Sequence, residues 1–354
     1  MKKFFKSFKR LFCLLMIIGQ LVFLAGCLNS VKEIKPQGMM NFTFFDTVSN
    51  VYSYAGDTLE EFEENCNKVF VILEEYHQLF DIYNEYSGVI NLCTINKNAG
   101  GEALVVDEKL IDFLLYTKEM YALTNGKTNV MLGSVLKLWH DAREYASYNP
   151  NEAQIPDMEL LIEAAKHTNI DSLEIDKENK TVRISDPLAL IDVGAIGKGY
   201  ATEKAAQCLE SEGISSYVLN IGGNIRIIGT KVDGDGWMTG IKNPLDRETY
   251  AFYTKIADTS CVTSGDYERY FTVGNQKYHH IIDGATLMPA DYFSSITVIT
   301  KDSGLADTLS TALFCMSYEE GLAIVESIGN VEVLWIYKNG DQVKTDGLLA
   351  VERN

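Results

Sequence analysis

The sequence predicts an α+β fold, a core of antiparallel strands with packed helices, and three observations predict it. Segments of helical period, Leu59–Phe80 and Asp107–Thr124 among them, stand apart from the strand-rich runs instead of alternating with them one by one. Between residues 223 and 260, three β-rich runs (Ile225–Ile228, Trp237–Ile241 and Tyr250–Ile256) follow one another across glycine turns, a spacing that pairs neighbours without crossovers. The chain closes on a hairpin, Val331–Tyr337 and Gln342–Lys344, around Asn339-Gly340.

The 354 residues begin with a targeting segment. Lys2, Lys3, Lys6, Lys9 and Arg10 precede the apolar run Leu11–Phe23, and Leu24-Ala25-Gly26-Cys27 then sets small residues before a cysteine. That order is a bacterial secretory signal with a lipoprotein box: residues 1–26 are removed, and Cys27 is acylated to anchor the chain at the extracytoplasmic face of the cell membrane. Residues 27–40 are then a tether, in which Pro36 and Gly38 break regular structure, and 41–354 the functional domain. The formal net charge is −18, and the loss of residues 1–26, with five cations and no acids, takes it to −23. Such a surface excludes nucleic acid as a partner and repels phosphate, so an anionic substrate needs a local cation or a metal. Cys66, Cys93, Cys208, Cys261 and Cys315 show no paired spacing, and most of them read as buried thiols.

Asn41–Tyr54, aromatic and β-branched, reads as a strand kinked at Phe45-Asp46-Thr47, and Leu59–Phe80 as a helix with an acidic outer face. A second amphipathic helix over Asp107–Thr124 ends in a turn that leads to Lys127, Thr128 and Asn129. Val130–Trp139 runs to an aromatic end. Ala142–Ile155 reads as polar loop, and Met158–His167 as a short helix. A strand over Thr181–Ile184 and the apolar run Leu188–Ile191 lead into the stretch that organises the chain, Asp192–Gly223. It reads as strand, small-residue turn (Gly194, Gly197, Gly199) with the cation Lys198, helix from Tyr200 to Glu212, strand Tyr217–Ile221, and a second glycine turn, Gly222-Gly223. Glycine turns at helix entries present bare N–H groups and suit phosphate; the same pattern also serves as an ordinary strand–helix connection. Downstream come a strand over Ser294–Thr300, helices over Leu305–Met316 and Glu319–Ile328, and the hairpin.

Two small motifs can carry chemistry. Asp307 and Thr311 are four apart on a helix, one turn above each other, with Leu309, Ala312 and Leu313 on the opposite arc. A carboxylate and a hydroxyl at that spacing suit a hard cation such as Mg²⁺, and equally suit a solvated helix face. In His279-His280-Ile281-Ile282-Asp283, adjacent histidines on a strand point to opposite faces, so one of them enters a pocket as a base or makes a structural hydrogen bond.

Taken together, Asp192–Gly223, the run ThrSerGlyAspTyrGluArgTyrPhe at 263–271, TyrHisHisIleIleAsp at 278–283 and AlaAspThrLeuSerThrAlaLeuPhe at 306–314 closely resemble the ApbE family, the FAD:protein FMN transferases. The resemblance runs from about Phe42 to the last hairpin. It implies a T-fold-like core, FAD as substrate and Mg²⁺ as cofactor. It also implies transfer of FMN to a threonine or serine hydroxyl of an acceptor flavoprotein, with release of AMP. It puts the metal on Asp307, Thr311 and the Ala195 carbonyl. FAD contacts fall on Phe45, Tyr83, Lys127, Thr128, Asn129, Asp192, Lys198, His280 and Ile281, with His280 and Asp307 in catalytic roles. Phe45 stands where the family usually has methionine, and Asn129 where many members carry aspartate. Two other functions fit the same residues: an FAD pyrophosphatase giving FMN and AMP, and a non-catalytic lipoprotein that binds a solute for a transporter.

Overall fold

Eight antiparallel strands form the central sheet of the computed structural model, which describes residues 34–352. Cys27 and the signal segment lie outside the described residues. In chain order the sheet strands are β1 (Gln37–Asn41), β2 (Ser49–Ser53), β6 (Tyr217–Ile221), β7 (Asn224–Ile228), β10 (Ser260–Gly265), β15 (Phe293–Thr300), β16 (Glu332–Tyr337) and β17 (Gln342–Lys344), which is also their spatial order. β15 lies near the middle and is buried along all eight residues, because both faces of the sheet are covered. On one face Ile296, Val298, Val333 and Trp335 pack with the helix α7 (Ser303–Phe314). On the other, Ile299, Leu334 and Ile336 pack with Ile241 and Phe252 of the hairpin β8 (Trp237–Lys242) and β9 (Tyr250–Ile256). The alternation along β15 and β16 thus feeds two cores with a period of two.

The helices are built as their sequences require. α1 (Leu59–Phe80) starts with a capping box between Thr58 and Glu61 and buries Phe62, Cys66, Val69, Leu73, Tyr76 and Phe80. α6 (Gly197–Ser211) packs between α1 and α7. Its position is fixed by Arg226 on β7, which is fully buried and bonds Glu203 at 3.0 Å and Glu210 at 2.7 Å. Glu203 also accepts the Ser303 N–H at 2.9 Å, so one buried carboxylate joins the sheet, α6 and the start of α7. A smaller unit holds α2 (Leu92–Lys97), α3 (Glu108–Leu123) and the three-stranded sheet of β3 (Leu104–Val105), β5 (Thr181–Ile184) and β4 (Leu173–Asp176).

Four sequence expectations are corrected. Residues 37–40, read as tether, enter the sheet as β1, which pairs with β2 across the turn expected to be a mere kink. Leu188–Ile191 is not a strand: it is irregular backbone, held by Asn96, whose side chain bonds both the N–H and the carbonyl of Ile191. The helix of the organising stretch begins at Gly197 rather than Tyr200, because the small residues allow close packing on α7. Ala142–Ile155 is not loop throughout, since α4 (Gly133–Tyr148) continues past Trp139. The polar residues after Trp139 are the outer face of that helix, and tertiary packing of Trp139 and Ala146 holds it.

Candidate active site

The site is assembled where α6 meets α7. Gly199 makes the meeting possible: a Cβ there would stand 2.3 Å from the Ser303 carbonyl oxygen and 2.4 Å from the Asp307 Cβ. Gly199 lies in the first turn of α6, where an N–H has no acceptor within the helix, and it donates to Asp307 Oδ2 at 2.8 Å. That bond ties the turn carrying Ala195 to the helix carrying Asp307. Thr311 lies one turn further along α7, partly exposed.

Asp307 is only 5% exposed and has no ion pair among the described residues. Burial pushes its carboxyl above the usual carboxylate range, against the pull of Lys198, the Gly199 N–H and the Asn224 side chain. Asn224 opens β7 just past the second glycine turn, and its Oδ1 is buried without a partner. At that turn Gly222 adopts φ 56°, and a Cβ would meet Thr47 Oγ1 at 2.5 Å, so the β1–β2 turn closes over it. Among the described residues no three His, Cys, Asp or Glu side chains converge as a metal cluster. The candidate donors are instead the buried Asp307 carboxylate, the Thr311 hydroxyl one turn on, the Ala195 carbonyl of the glycine turn and the unpartnered Asn224 Oδ1. All are hard oxygens, and they fit a cation that keeps some of its own water or phosphate ligands.

Asp192 and Lys198 flank the first glycine turn. Asp192 Oδ1 accepts the Gly194 N–H at 2.8 Å, and burial raises its pKa against Gly194, His140, Arg143 and Lys198. Tyr83, 59% exposed, lies against His140 with ring centroids 5.5 Å apart. His280 has a buried Nδ1 without a partner, and its N–H donates to the Arg269 carbonyl at 3.0 Å. Burial, then Arg269, His279, Arg143 and Lys198, push the His280 imidazole down to about 3, so it is neutral at pH 7. Its neighbour His279 has the structural role: Nε2 donates to the Ala290 carbonyl at 2.8 Å, and Nδ1 accepts the Ile281 N–H.

Other expected contacts are already occupied. Lys127 Nζ is 3.1 Å from the buried Asp283 carboxylate. The Thr128 hydroxyl donates to the Thr308 carbonyl, tying this turn to α7. Asn129 donates from Nδ2 to the Thr168 carbonyl and accepts the Met131 N–H, so its side chain is a local cap. Ile281 is buried, its N–H spent on His279 and its carbonyl on Ala290. Phe45, with φ 54°, donates its N–H to His77 Nδ1 at 3.3 Å and sets its ring edge-on to that imidazole. Asp307, Ala195, Lys198, Asp192, Tyr83 and His280 are thus brought to one region, whereas Lys127, Asn129 and Ile281 serve the scaffold with their side chains.

Sequence reading passed over His140, Arg143 and Arg269. Arg269 sits inside the 263–271 run. The signal for Arg143 was the spacing of Trp139 and Arg143, one helical turn apart, hidden by reading the segment as loop.

Comparison with known proteins agrees with this architecture. The ApbE family model matches residues 45–335. An FAD:protein FMN transferase of Vibrio cholerae is 28% identical over 334 residues, covering 93% of this chain and 95% of the relative. One of Treponema pallidum is 29% identical over 307 residues, covering 82% of each. Among solved structures, the ApbE protein of Thermotoga maritima superposes with a TM-score of 0.75 at 26% identity, over 88% of this chain and 97% of that one. The flavin transferase ApbE of Vibrio cholerae superposes at 0.72 and 26%, over 88% and 96%. With its mixed helices and antiparallel sheet, and a family match across most of its length, the chain belongs to the ApbE family.

Proposed function

We propose that the chain is an FAD:protein FMN transferase that moves FMN from FAD to a threonine or serine hydroxyl of an acceptor flavoprotein, with Mg²⁺ as cofactor and AMP as the product released. The observation that carries this reading is the bond from Gly199 N–H to Asp307, which joins the glycine turn and α7 around a buried, unneutralised carboxylate. Asp307, Thr311 and the Ala195 carbonyl would hold Mg²⁺, which supplies charge neutralisation on the diphosphate. Lys198 adds a fixed positive charge on the same turn, and Asp192 orients that turn through Gly194. Tyr83 offers an exposed ring for stacking on the cofactor. The acceptor oxygen forms a bond to the phosphorus on the FMN side while the P–O bond to AMP breaks. The neutral His280 imidazole takes the hydroxyl proton. Such a reaction asks mainly for positioning and electrostatic stabilisation, which these residues can supply.

The test is incubation with FAD, Mg²⁺ and an acceptor domain, followed by mass spectrometry. The mass of FMN on a threonine or serine, together with AMP, supports transfer. FMN and AMP appearing equally without acceptor, and no adduct, would make the chain a pyrophosphatase. Binding of FAD without turnover would make it a binding protein.

The basic and apolar N-terminus ending at Cys27 supports a lipid-anchored position at the extracytoplasmic face of the membrane. Labelling of the full chain with a radioactive fatty acid, lost in Cys27→Ser, is the expected result; label retained in that variant would overturn it.

A further inference from the structure

The turn between β1 and β2 is built from residues that do not favour its shape. Phe45 at φ 54° and Asp46 at φ 50° lie side by side in the left-handed region, and the Thr47 N–H closes the turn on the Phe44 carbonyl at 3.2 Å. Two successive left-handed residues mark the mirror-image hairpin turn, which Asn-Gly makes readily and a phenylalanine does not. Local preference therefore does not hold this turn, and a contact from outside must. His77, in the last turn of α1, supplies it. Its Nδ1 accepts the Phe45 N–H at 3.3 Å, and its ring lies edge-on to Phe45 at 5.5 Å and to Phe44 at 6.3 Å.

The other nitrogen of the same ring leads to the loop that carries Tyr83. A backbone N–H can only donate, so Nδ1 accepts and the ring proton sits on Nε2. Nε2 faces the Tyr86 hydroxyl oxygen at 3.4 Å, and that hydroxyl donates to Asp81 Oδ2 at 2.8 Å. Asp81 Oδ1 in turn accepts the Tyr83 N–H at 2.7 Å and the Asn84 N–H at 2.9 Å, and Oδ2 accepts the Asn84 side chain at 3.0 Å. Burial opposes ionisation of this carboxyl, but the bonds from Asn84, Tyr83 and Tyr86 outweigh it and hold the group below the usual carboxylate range, so Asp81 only accepts. Each donor from Phe45 to Asp81 thus meets an acceptor. Fully buried Asn91 pins the base of the loop, donating to the Gln78 and Asn84 carbonyls at 3.0 and 2.8 Å. On the other side, the supported turn packs Thr47 on Gly222, and the Val48 carbonyl accepts the Gly222 N–H at 3.0 Å. His77 therefore stands between the turn that closes over Gly222-Gly223 and the loop that presents Tyr83.

We infer that His77 is a positioning residue of this site: through Nδ1 on one side, and through Tyr86 and Asp81 on the other, it sets the Phe45 turn and the Tyr83 loop in one arrangement before the flavin dinucleotide binds. The inference rests on the functional reading above and adds to it a residue that acts on the cofactor only through its neighbours. Preorganised segments have no ordering left to do at binding, so loss of His77 acts on the affinity for FAD rather than on the chemical step.

The test compares His77→Leu, His77→Asn and His77→Gln with wild type in the full chain. Leucine removes both links, whereas asparagine keeps an acceptor near the place of Nδ1 and glutamine a polar group near the place of Nε2. His77→Leu is expected to raise Kd for FAD, read by flavin fluorescence, and KM for FAD about tenfold, while kcat of acceptor flavinylation changes by less than about twofold. The asparagine and glutamine variants fall between leucine and wild type, and Tyr86→Phe, which cuts only the second link, reproduces the asparagine values. Amide hydrogen exchange of the ligand-free chain should quicken in His77→Leu across residues 44–48 and 82–86 together, with asparagine protecting the first segment and glutamine the second. A His77→Leu protein whose kcat falls at unchanged KM has lost folded enzyme and not position, and would overturn the inference, as would exchange unchanged in either segment. Wild type that binds FAD but flavinylates no acceptor would overturn the transferase reading instead, and Kd and exchange then judge His77 by themselves.

Discussion

Replacing Gly199 by alanine sets two opposing effects against each other at the centre of the site. Helix propensity favours alanine over glycine inside a helix by about 1 kcal/mol, so Gly199→Ala on a free surface would stabilise. Here the added carbon would meet the Ser303 carbonyl oxygen at 2.3 Å and the Asp307 Cβ at 2.4 Å, and neither atom is the end of a flexible side chain. Overpacking of this kind costs about 1–3 kcal/mol. Separation of α6 and α7 by the required distance also breaks the 2.8 Å bond from Gly199 N–H to the carboxylate. A hydrogen bond to a charged group contributes about 1.5–3 kcal/mol. The net expectation is destabilisation by about 2–4 kcal/mol, together with loss of FMN transfer, because the glycine turn and Asp307 move apart. Urea denaturation and the acceptor-mass assay measure the two effects. Gly284→Ala is the control: its Cβ would lie 3.5 Å from Leu132 Cδ1, ordinary contact, and it should shift stability by less than about 1 kcal/mol. A Gly199→Ala protein as stable as wild type and fully active would refute the claim that close helix packing builds the site.

Three further outcomes follow from the same geometry. Asp307→Asn should make the metal-free protein more stable at pH 7 while lowering Mg²⁺-dependent transfer by about 100-fold or more. The sign follows from burial. The folded carboxyl has a raised pKa, so stability falls as pH rises from the unfolded value through the folded one, and the amide removes that penalty. Denaturation in EDTA at pH 4 and pH 7 checks it. Arg226→Ala should destabilise by about 3–5 kcal/mol in thermal or urea unfolding, since it strands the buried Glu203 carboxylate that joins the sheet to α6 and α7. For His280, with its pKa down at about 3, kcat/KM should show no acid-side inflection near 6.5 that His280→Gln abolishes. In the stability profile the unfolded imidazole takes its proton near 6.5 and the folded one only near 3, so stability is lost as pH falls between them; His280→Gln should lessen that loss in urea midpoints measured from pH 7 to pH 4.

Much of the frame was legible in one dimension. Leu59–Phe80 and Asp107–Thr124 declare themselves by apolar period and by the caps Thr58 and Asp107, which are local signals. The spacing of Asp307 and Thr311 is likewise a property of a helix and needs no fold to be seen. The roles of Lys127 and Asn129 were not legible, because a lysine's partner can lie 156 residues away, as Asp283 does.

Sequence alone determined the α+β class, the helices that carry the site and the residues with the right chemistry on them, since period, capping and side-chain type act over a few residues. Tertiary structure alone decided which of those groups meet. It tied the Gly199 N–H to Asp307, spent Lys127 and Asn129 on the scaffold, and buried the His280 Nδ1 without a partner. Burial and charge depend on everything that packs around a residue, and that is a property of the folded chain.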